Sequence, residues 1–176
     1  EYLQAAKALG ARLAAEGIGL VYGGANVGLM GAVANSALAA RGSVIGVIPR
    51  HLVSKEIAHQ QLEDLRIVES MHERKSLMAE LSDGFIALPG GFGTFEEFCE
   101  VLTWSQLGLH KKPTGLLNVR GYYDALLTLF DQGVREQFIR QHHRDLVLSA
   151  TDEGALLQLM RDYRPVDQPK WLRSQA

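Results

Sequence analysis

The sequence predicts an α/β protein, a Rossmann-like doubly wound parallel sheet with helices on both faces. Three observations point there. Six short apolar runs alternate with helical patterns along the 176 residues, the order that builds parallel βαβ units. The runs are apolar throughout instead of alternating, as in strands covered on both sides. Glycine is in excess, 18 residues or about 10% against a background near 7%. These glycines fall at the ends of the apolar runs, where the backbone must turn.

The helical pattern Tyr2–Ala15 comes first, followed by the run Ile18–Tyr22 and a glycine loop, Gly23-Gly24-Ala25-Asn26-Val27-Gly28. A helix over Leu29–Ala40 leads to the run Val44–Ile48, then to Leu65–Val68 and a helix over Met71–Leu81. The run Phe85–Leu88 opens onto a second glycine loop and a helix over Phe95–Gly108. Thr114–Asn118, a helix over Tyr122–Gln132, the weaker run Leu146–Leu148 and a helix over Glu153–Tyr163 complete the order. Residues 1–163 read as a single Rossmann-like domain. Residues 164–176, with prolines at 165 and 169, read as an extended tail. A doubly wound fold usually opens on a strand, so a strand and its loop are expected ahead of Glu1; a fold that starts on a helix is the alternative.

Apolar residues make up 47% of the chain and charged residues 22%, ordinary for a globular domain. The net charge is 18 − 20 = −2, with a pI near 6.3. That balance excludes a protein whose main partner is nucleic acid or an acidic membrane surface. One cysteine leaves no disulfide framework within the chain and fits a reducing compartment, so a cytoplasmic location is expected. No apolar run approaches the roughly 18 residues of a spanning helix, and no signal peptide is visible.

Neither common phosphate motif is present. The Rossmann spacing G-x-G-x-x-G fits neither loop, and the Walker A pattern fails because Leu29 stands where lysine is required. What does occur, at Leu88–Glu97, is L-P-G-G-F-G-T-F-E-E. Gly90, Gly91 and Gly93 let the backbone approach a ligand closely and present N–H groups at a helix N-terminus, an arrangement that binds phosphate. The loop Gly23–Gly28 also follows a strand, and ligands of open α/β sheets sit at the carboxyl ends of strands. The two loops are expected to face one crevice. Thr94-x-x-Glu97 is also a capping-box pattern, with Thr94 as N-cap and Glu97 at the third helical position; chemistry and capping both remain open for Glu97. Paired glycines after a strand can also be nothing more than tight turns.

The segment Met71-His72-Glu73-Arg74-Lys75-Ser76-Leu77-Met78 adds a basic pair. On a helix, Met71, Leu77, Met78 and Leu81 share one arc, and Arg74 falls near its middle. An arginine placed there either snorkels to solvent or meets an anion or carboxylate; Glu97 is the leading candidate for that partner. Other constellations are weaker. Cys99 reads as a core residue rather than a nucleophile. His142-His143 lacks companion ligands, so no metal site is expected, and no G-x-S-x-G elbow is present. Lys75 could form a Schiff base, but no pyridoxal phosphate pattern accompanies it, and no cofactor is expected. Tyr122, Tyr123, Leu107, Leu109 and the helix Phe95–Gly108 could supply a dimer face or the core of one subunit.

Taken together, Gly23–Gly31, Met71–Met78 with Arg74-Lys75, and Pro89-Gly90-Gly91-x-Gly93-Thr94-x-x-Glu97 resemble the Lonely Guy family. Thr103-Trp104-x-Gln106-Leu107-Gly108, Lys112-Pro113 and Gly121-Tyr122-Tyr123 extend the match from about Tyr2 to Trp171. The family comprises the cytokinin riboside 5′-monophosphate phosphoribohydrolases, often labelled lysine decarboxylases. The resemblance implies a homodimer that cleaves the N-glycosidic bond of N6-modified AMP to free base and ribose 5-phosphate. It implies catalytic roles for Arg74 and Glu97. Substrate contacts are implied at Gly24, Glu56, Met71, Lys75, Gly90, Gly91, Phe92, Gly93, Thr94, Phe95, Glu96 and Thr103. The chain departs from the family pattern at Ala25, where many relatives have a third glycine, and the family's N-terminal strand with its Gly-Ser-rich loop is not among these residues. A general nucleoside 5′-monophosphate glycosidase and a non-catalytic nucleotide or cofactor carrier are the alternative readings.

Overall fold

The computed structural model describes residues 1–53, 58–59 and 62–165. It has the expected α/β character, and its strands pair in two parallel groups of three. The chain divides into two compact units, Glu1–Ser82 and Asp83–Ala176.

In the first unit, helix α1 (Tyr2–Ala15) precedes strand β1 (Leu20–Tyr22), helix α2 (Gly28–Ala39), strand β2 (Val44–Pro49), a one-turn helix α3 (Arg50–Val53), strand β3 (Asp64–Val68) and helix α4 (Met71–Leu81). The strands run in parallel in the order β1-β2-β3, with Leu20 opposite Val44 and Ile45 opposite Asp64. Buried residues Ala6, Leu9, Gly10 and Leu13 form the i, i+3, i+4, i+7 stripe of α1. That stripe packs on α2, closely enough that a side chain at Gly10 would collide with the Val33 carbonyl. Tyr22, Ala34, Ala37 and Val44 form the core beneath.

The expected strand from Ile18 starts two residues late because Gly17 and Ile18 close α1. Gly17 takes φ +69°, and the N–H groups of Gly17 and Ile18 bond back to Ala14 and Leu13, the two bonds of a Schellman motif. Helix α2 ends the same way, with Arg41 at φ 60° in the left-handed position and Arg41 and Gly42 bonding to Leu38 and Ala37.

The second unit contains strand β4 (Phe85–Ala87), helix α5 (Phe92–Gln106), strand β5 (Thr114–Leu117), a single 3₁₀ turn (Val119–Gly121), helix α6 (Asp124–Arg135), a one-turn helix α7 (Gln141–Arg144), strand β6 (Val147–Ala150) and helix α8 (Glu153–Asp162). Its parallel order is β4-β5-β6, with Phe85 opposite Thr114 and Thr114 opposite Val147. Phe98, Leu116, Tyr123 and Val147 are buried at the centre, with Phe95, Leu102, Leu126 and Phe130 packed around them. Tyr123 thus belongs to the core, while Leu107 and Leu109 are 44% and 71% exposed. Cys99 is also exposed rather than in the core, because it faces out from α5 one residue after the buried Phe98.

Candidate active site

In the first unit the site elements are the loop after β1 and the first turn of α4. Ser70 caps α4 by accepting the Glu73 N–H at 3.1 Å, and the Glu73 carboxylate accepts the Glu69 N–H at 2.7 Å. The Ser70-x-x-Glu73 spacing is that of a capping box, with the carboxylate here reaching one residue ahead of the N-cap, and it holds the start of the helix that carries Arg74 and Lys75. Arg74 is half-buried, with Nε inaccessible to solvent, and Nη1 lies 3.9 Å from Met71 Sδ. Its guanidinium lies directly on Gly23: a Cβ built there would overlap Nη2 and stand 2.9 Å from Cζ. Gly23 is therefore required by Arg74, not by the turn. Gly24 is required by its own backbone, at φ +72°, hemmed by Ile48 and Leu65.

A histidine with no motif around it in the sequence holds this loop. His59 is fully buried and donates its backbone N–H to Gly24 O at 2.9 Å, while Ala58 bridges Ala25. His59 Nε2 lies 3.0 Å from Asn35 Oδ1, an atom that only accepts, so Nε2 carries the proton. Asn35 Nδ2 in turn donates to Asn26 Oδ1 at 2.8 Å. No local pattern joins positions 26, 35 and 59, so the relay has no sequence signature. Glu56, an expected substrate contact, lies outside the described residues.

In the second unit, Leu88–Gly91 connects β4 to α5. The capping box expected at Thr94 and Glu97 is absent. Helix α5 begins at Phe92, its N-cap is Gly91 in an extended conformation, and no side chain caps it. The first helical bond runs from Phe95 N to Gly91 O at 3.2 Å, so the N–H groups of Gly91, Phe92, Gly93 and Thr94 have no acceptor within the helix. Thr94 folds back instead on Gly90, where a Cβ would strike its hydroxyl. At Gly91 and Gly93 a Cβ would meet nothing within 4 Å. Gly91 adopts φ −90°, and Gly93 has no positive φ among the described backbone angles. Neither packing nor backbone strain demands glycine at these two positions.

Glu96 is exposed and Glu97 half-buried on the first two turns of α5; Phe92 is 91% exposed. Thr103 lies six residues beyond Glu97, about 9 Å along the helix, and its hydroxyl donates to Cys99 O at 2.8 Å. Although Cys99 is exposed, its thiol is partly desolvated against the helix, and this and the nearby Glu96 raise its pKa, which disfavours the thiolate a nucleophile needs. Two tyrosines act on the loop: Tyr123 Oη donates to Leu88 O and Tyr122 Oη to Gly90 O, each at 2.6 Å. Among the described residues no cluster of three or more His, Cys, Asp or Glu could hold a metal, and no helix is long and apolar enough to cross a membrane.

Comparison with known proteins places this arrangement. The family model described as "Possible lysine decarboxylase" matches residues 30–160. The probable cytokinin riboside 5′-monophosphate phosphoribohydrolase LOGL1 of Oryza sativa subsp. japonica is 53% identical over 159 residues, 90% of this chain and 71% of the relative. The chain belongs to the LOG family. A second member, the cytokinin riboside 5′-monophosphate phosphoribohydrolase LOG1 of Arabidopsis thaliana, is 47% identical over 164 residues, 93% of this chain and 77% of the relative. Among solved structures, the molybdenum cofactor carrier protein of Chlamydomonas reinhardtii shares the fold with a TM-score of 0.67 at 24% identity, covering 92% of this chain and 86% of that one. The LOG-family glycine loop is thus carried here on a Rossmann-like α/β scaffold.

Proposed function

We propose that this LOG-family chain hydrolyses the N-glycosidic bond of an N6-modified adenosine 5′-monophosphate, releasing the free base and ribose 5-phosphate. The observation that carries the reading is the mouth of α5. Four N–H groups without a helical acceptor stand beside two glycines whose missing side chains leave open space. A phosphate fits both the donors and the space, since backbone N–H groups and the positive end of the helix dipole favour an anion there. The phosphate is held by Gly91, Phe92, Gly93 and Thr94, and this remote binding orients the ribose.

Cleavage breaks the bond from C1′ to the base nitrogen, a water oxygen bonds to C1′, and one water proton is transferred to the departing base. The ribose passes through an oxocarbenium-like state, as in glycoside hydrolysis. On this reading Glu97, just past the phosphate-binding turn, stabilises that charge or activates the water. Arg74, whose guanidinium occupies the place a Gly23 side chain would take, is its catalytic partner. Lys75, Met71, Gly24, Gly90, Phe95, Glu96, Thr103 and Glu56 complete the substrate contacts, in a cytoplasmic homodimer that light scattering would reveal.

The direct experiment assays ribose 5-phosphate release from isopentenyl-AMP beside AMP, GMP and CMP. Preference for the N6-modified nucleotide supports the proposal, equal rates point to a general nucleotide glycosidase, and tight binding without base release points to a carrier. Glu97→Gln and Arg74→Ala lose base release by several orders of magnitude while folding normally; near-wild-type turnover in either removes that residue from the chemistry.

A further inference from the structure

The turn after β5 is built to present two hydroxyls. Asn118 is buried; its Oδ1 accepts the Tyr123 N–H at 2.7 Å and its Nδ2 donates to Asp124 Oδ1 at 2.7 Å. Arg120 and Gly121 take φ 56° and 71°, left-handed values that reverse the chain sharply, and a side chain at Gly121 would strike the Asp124 carboxylate. The result is a rigid pair. Tyr122 and Tyr123 meet edge to face with centroids 5.0 Å apart, Phe95 of α5 stacks on Tyr122 at 6.5 Å and 12°, and Phe95 meets Tyr123 edge-on at 6.4 Å.

The two hydroxyls do different things to the glycine loop. Tyr123 holds the Leu88 carbonyl, and the next residue is Pro89, which has no N–H to aim. Tyr122 holds the Gly90 carbonyl, and the next residue is Gly91. The peptide between them is trans and planar, so the Gly91 N–H points opposite to the Gly90 C=O and away from the tyrosine. A Gly90–Gly91 peptide is otherwise among the freest in a chain. We propose that Tyr122 is a positioning residue that fixes this peptide so that the Gly91 N–H is available to the substrate phosphate, while Tyr123 anchors the loop without aiming a donor. The proposal rests on the reading of the α5 mouth as the phosphate site.

The test compares Tyr122→Phe and Tyr123→Phe in the whole chain. Both keep the rings stacked on Phe95 and remove only a hydroxyl. In Tyr122→Phe the KM for the nucleotide rises about tenfold, the worth of one hydrogen bond to the loop, while kcat stays within twofold. The Gly91 amide resonance, expected to move in the wild type on adding inorganic phosphate, loses that response. In Tyr123→Phe the Gly91 response persists. A wild-type KM and an intact Gly91 response in Tyr122→Phe overturn the proposal, as does equal loss in both variants, which would mark general softening of the loop. Gly93→Ala separates the two levels. Unchanged KM in Gly93→Ala as well means that the phosphate reading has failed; an effect there with a silent Tyr122→Phe means that only the positioning role has.

Discussion

Gly93→Ala sets stability against function in a single methyl group. Gly93 is the second helical residue of α5, it lacks a positive φ among the described backbone angles, and its Cβ position is empty to 4 Å. Adding the methyl therefore removes unfolded-chain freedom without strain, a gain of about 0.4–1 kcal/mol. For a chain of this size that is roughly 1–4 °C in Tm. The same methyl occupies the space where the phosphate is proposed to approach the Gly93 N–H. Losing a hydrogen bond to a charged group costs about 1.5–3 kcal/mol, or about 10- to 150-fold in kcat/KM. Thermal melting and ribose 5-phosphate release on the same preparation read both. A more stable protein with markedly lower kcat/KM is expected. Wild-type kcat/KM in a folded Gly93→Ala protein would refute the phosphate cradle, because among the described residues neither a neighbour nor a positive φ accounts for glycine there.

Three further outcomes follow from the geometry. Gly23→Ala is expected to fold, since the atoms it meets are the far ends of the Arg74 and Met30 side chains, but to displace that guanidinium; activity should fall toward that of Arg74→Ala, with little change in melting. Arg41→Gly relieves a left-handed arginine at the end of α2 and should stabilise the chain by roughly 1 kcal/mol, measured by urea denaturation. His110 is held neutral, its Nε2 bonded to Val101 O at 3.0 Å and its Nδ1 accepting the Lys112 N–H at 3.1 Å. Burial, opposed by the Val101 bond and aided by Lys112, lowers its pKa below the usual 6.5. The unfolded chain then takes up a proton first, so stability present above pH 6.5 is lost as pH falls toward the folded value. Melting temperatures between pH 7 and 5 should show this slope, and His110→Gln should flatten it.

The positions of the elements were legible wherever periodicity or turn chemistry is local. Tyr2–Ala15 and Met71–Leu81 match the expected helices residue for residue, because an apolar stripe and an end signal lie within each window. Helix α5 starts at Phe92, three residues ahead of the expected Phe95. Pro-Gly-Gly-Phe-Gly-Thr resembles a loop ending in a threonine cap, and glycine costs a helix about 1 kcal/mol. Helix α5 nevertheless begins at Phe92 because contacts from afar settle the loop ahead of it, namely Tyr122 on Gly90 and Tyr123 on Leu88. Tyr123 was open between core and dimer face for the same reason: burial of a side chain 35 residues from its hydrogen-bond partner leaves no mark on its neighbours in sequence.

By itself the sequence determined the α/β alternation, the two glycine loops, the Arg74-Lys75 pair and the family, because each is written in short-range spacing. Only the tertiary structure decided why particular glycines are there. Gly23 is set by the Arg74 guanidinium, Gly24 by its φ and Gly90 by Thr94, while Gly91 and Gly93 are set by nothing among the described residues. The difference is physical. A glycine's letter is the same whether it yields space to a side chain, a backbone turn or a ligand, and which one applies depends on atoms that folding brings from elsewhere in the chain.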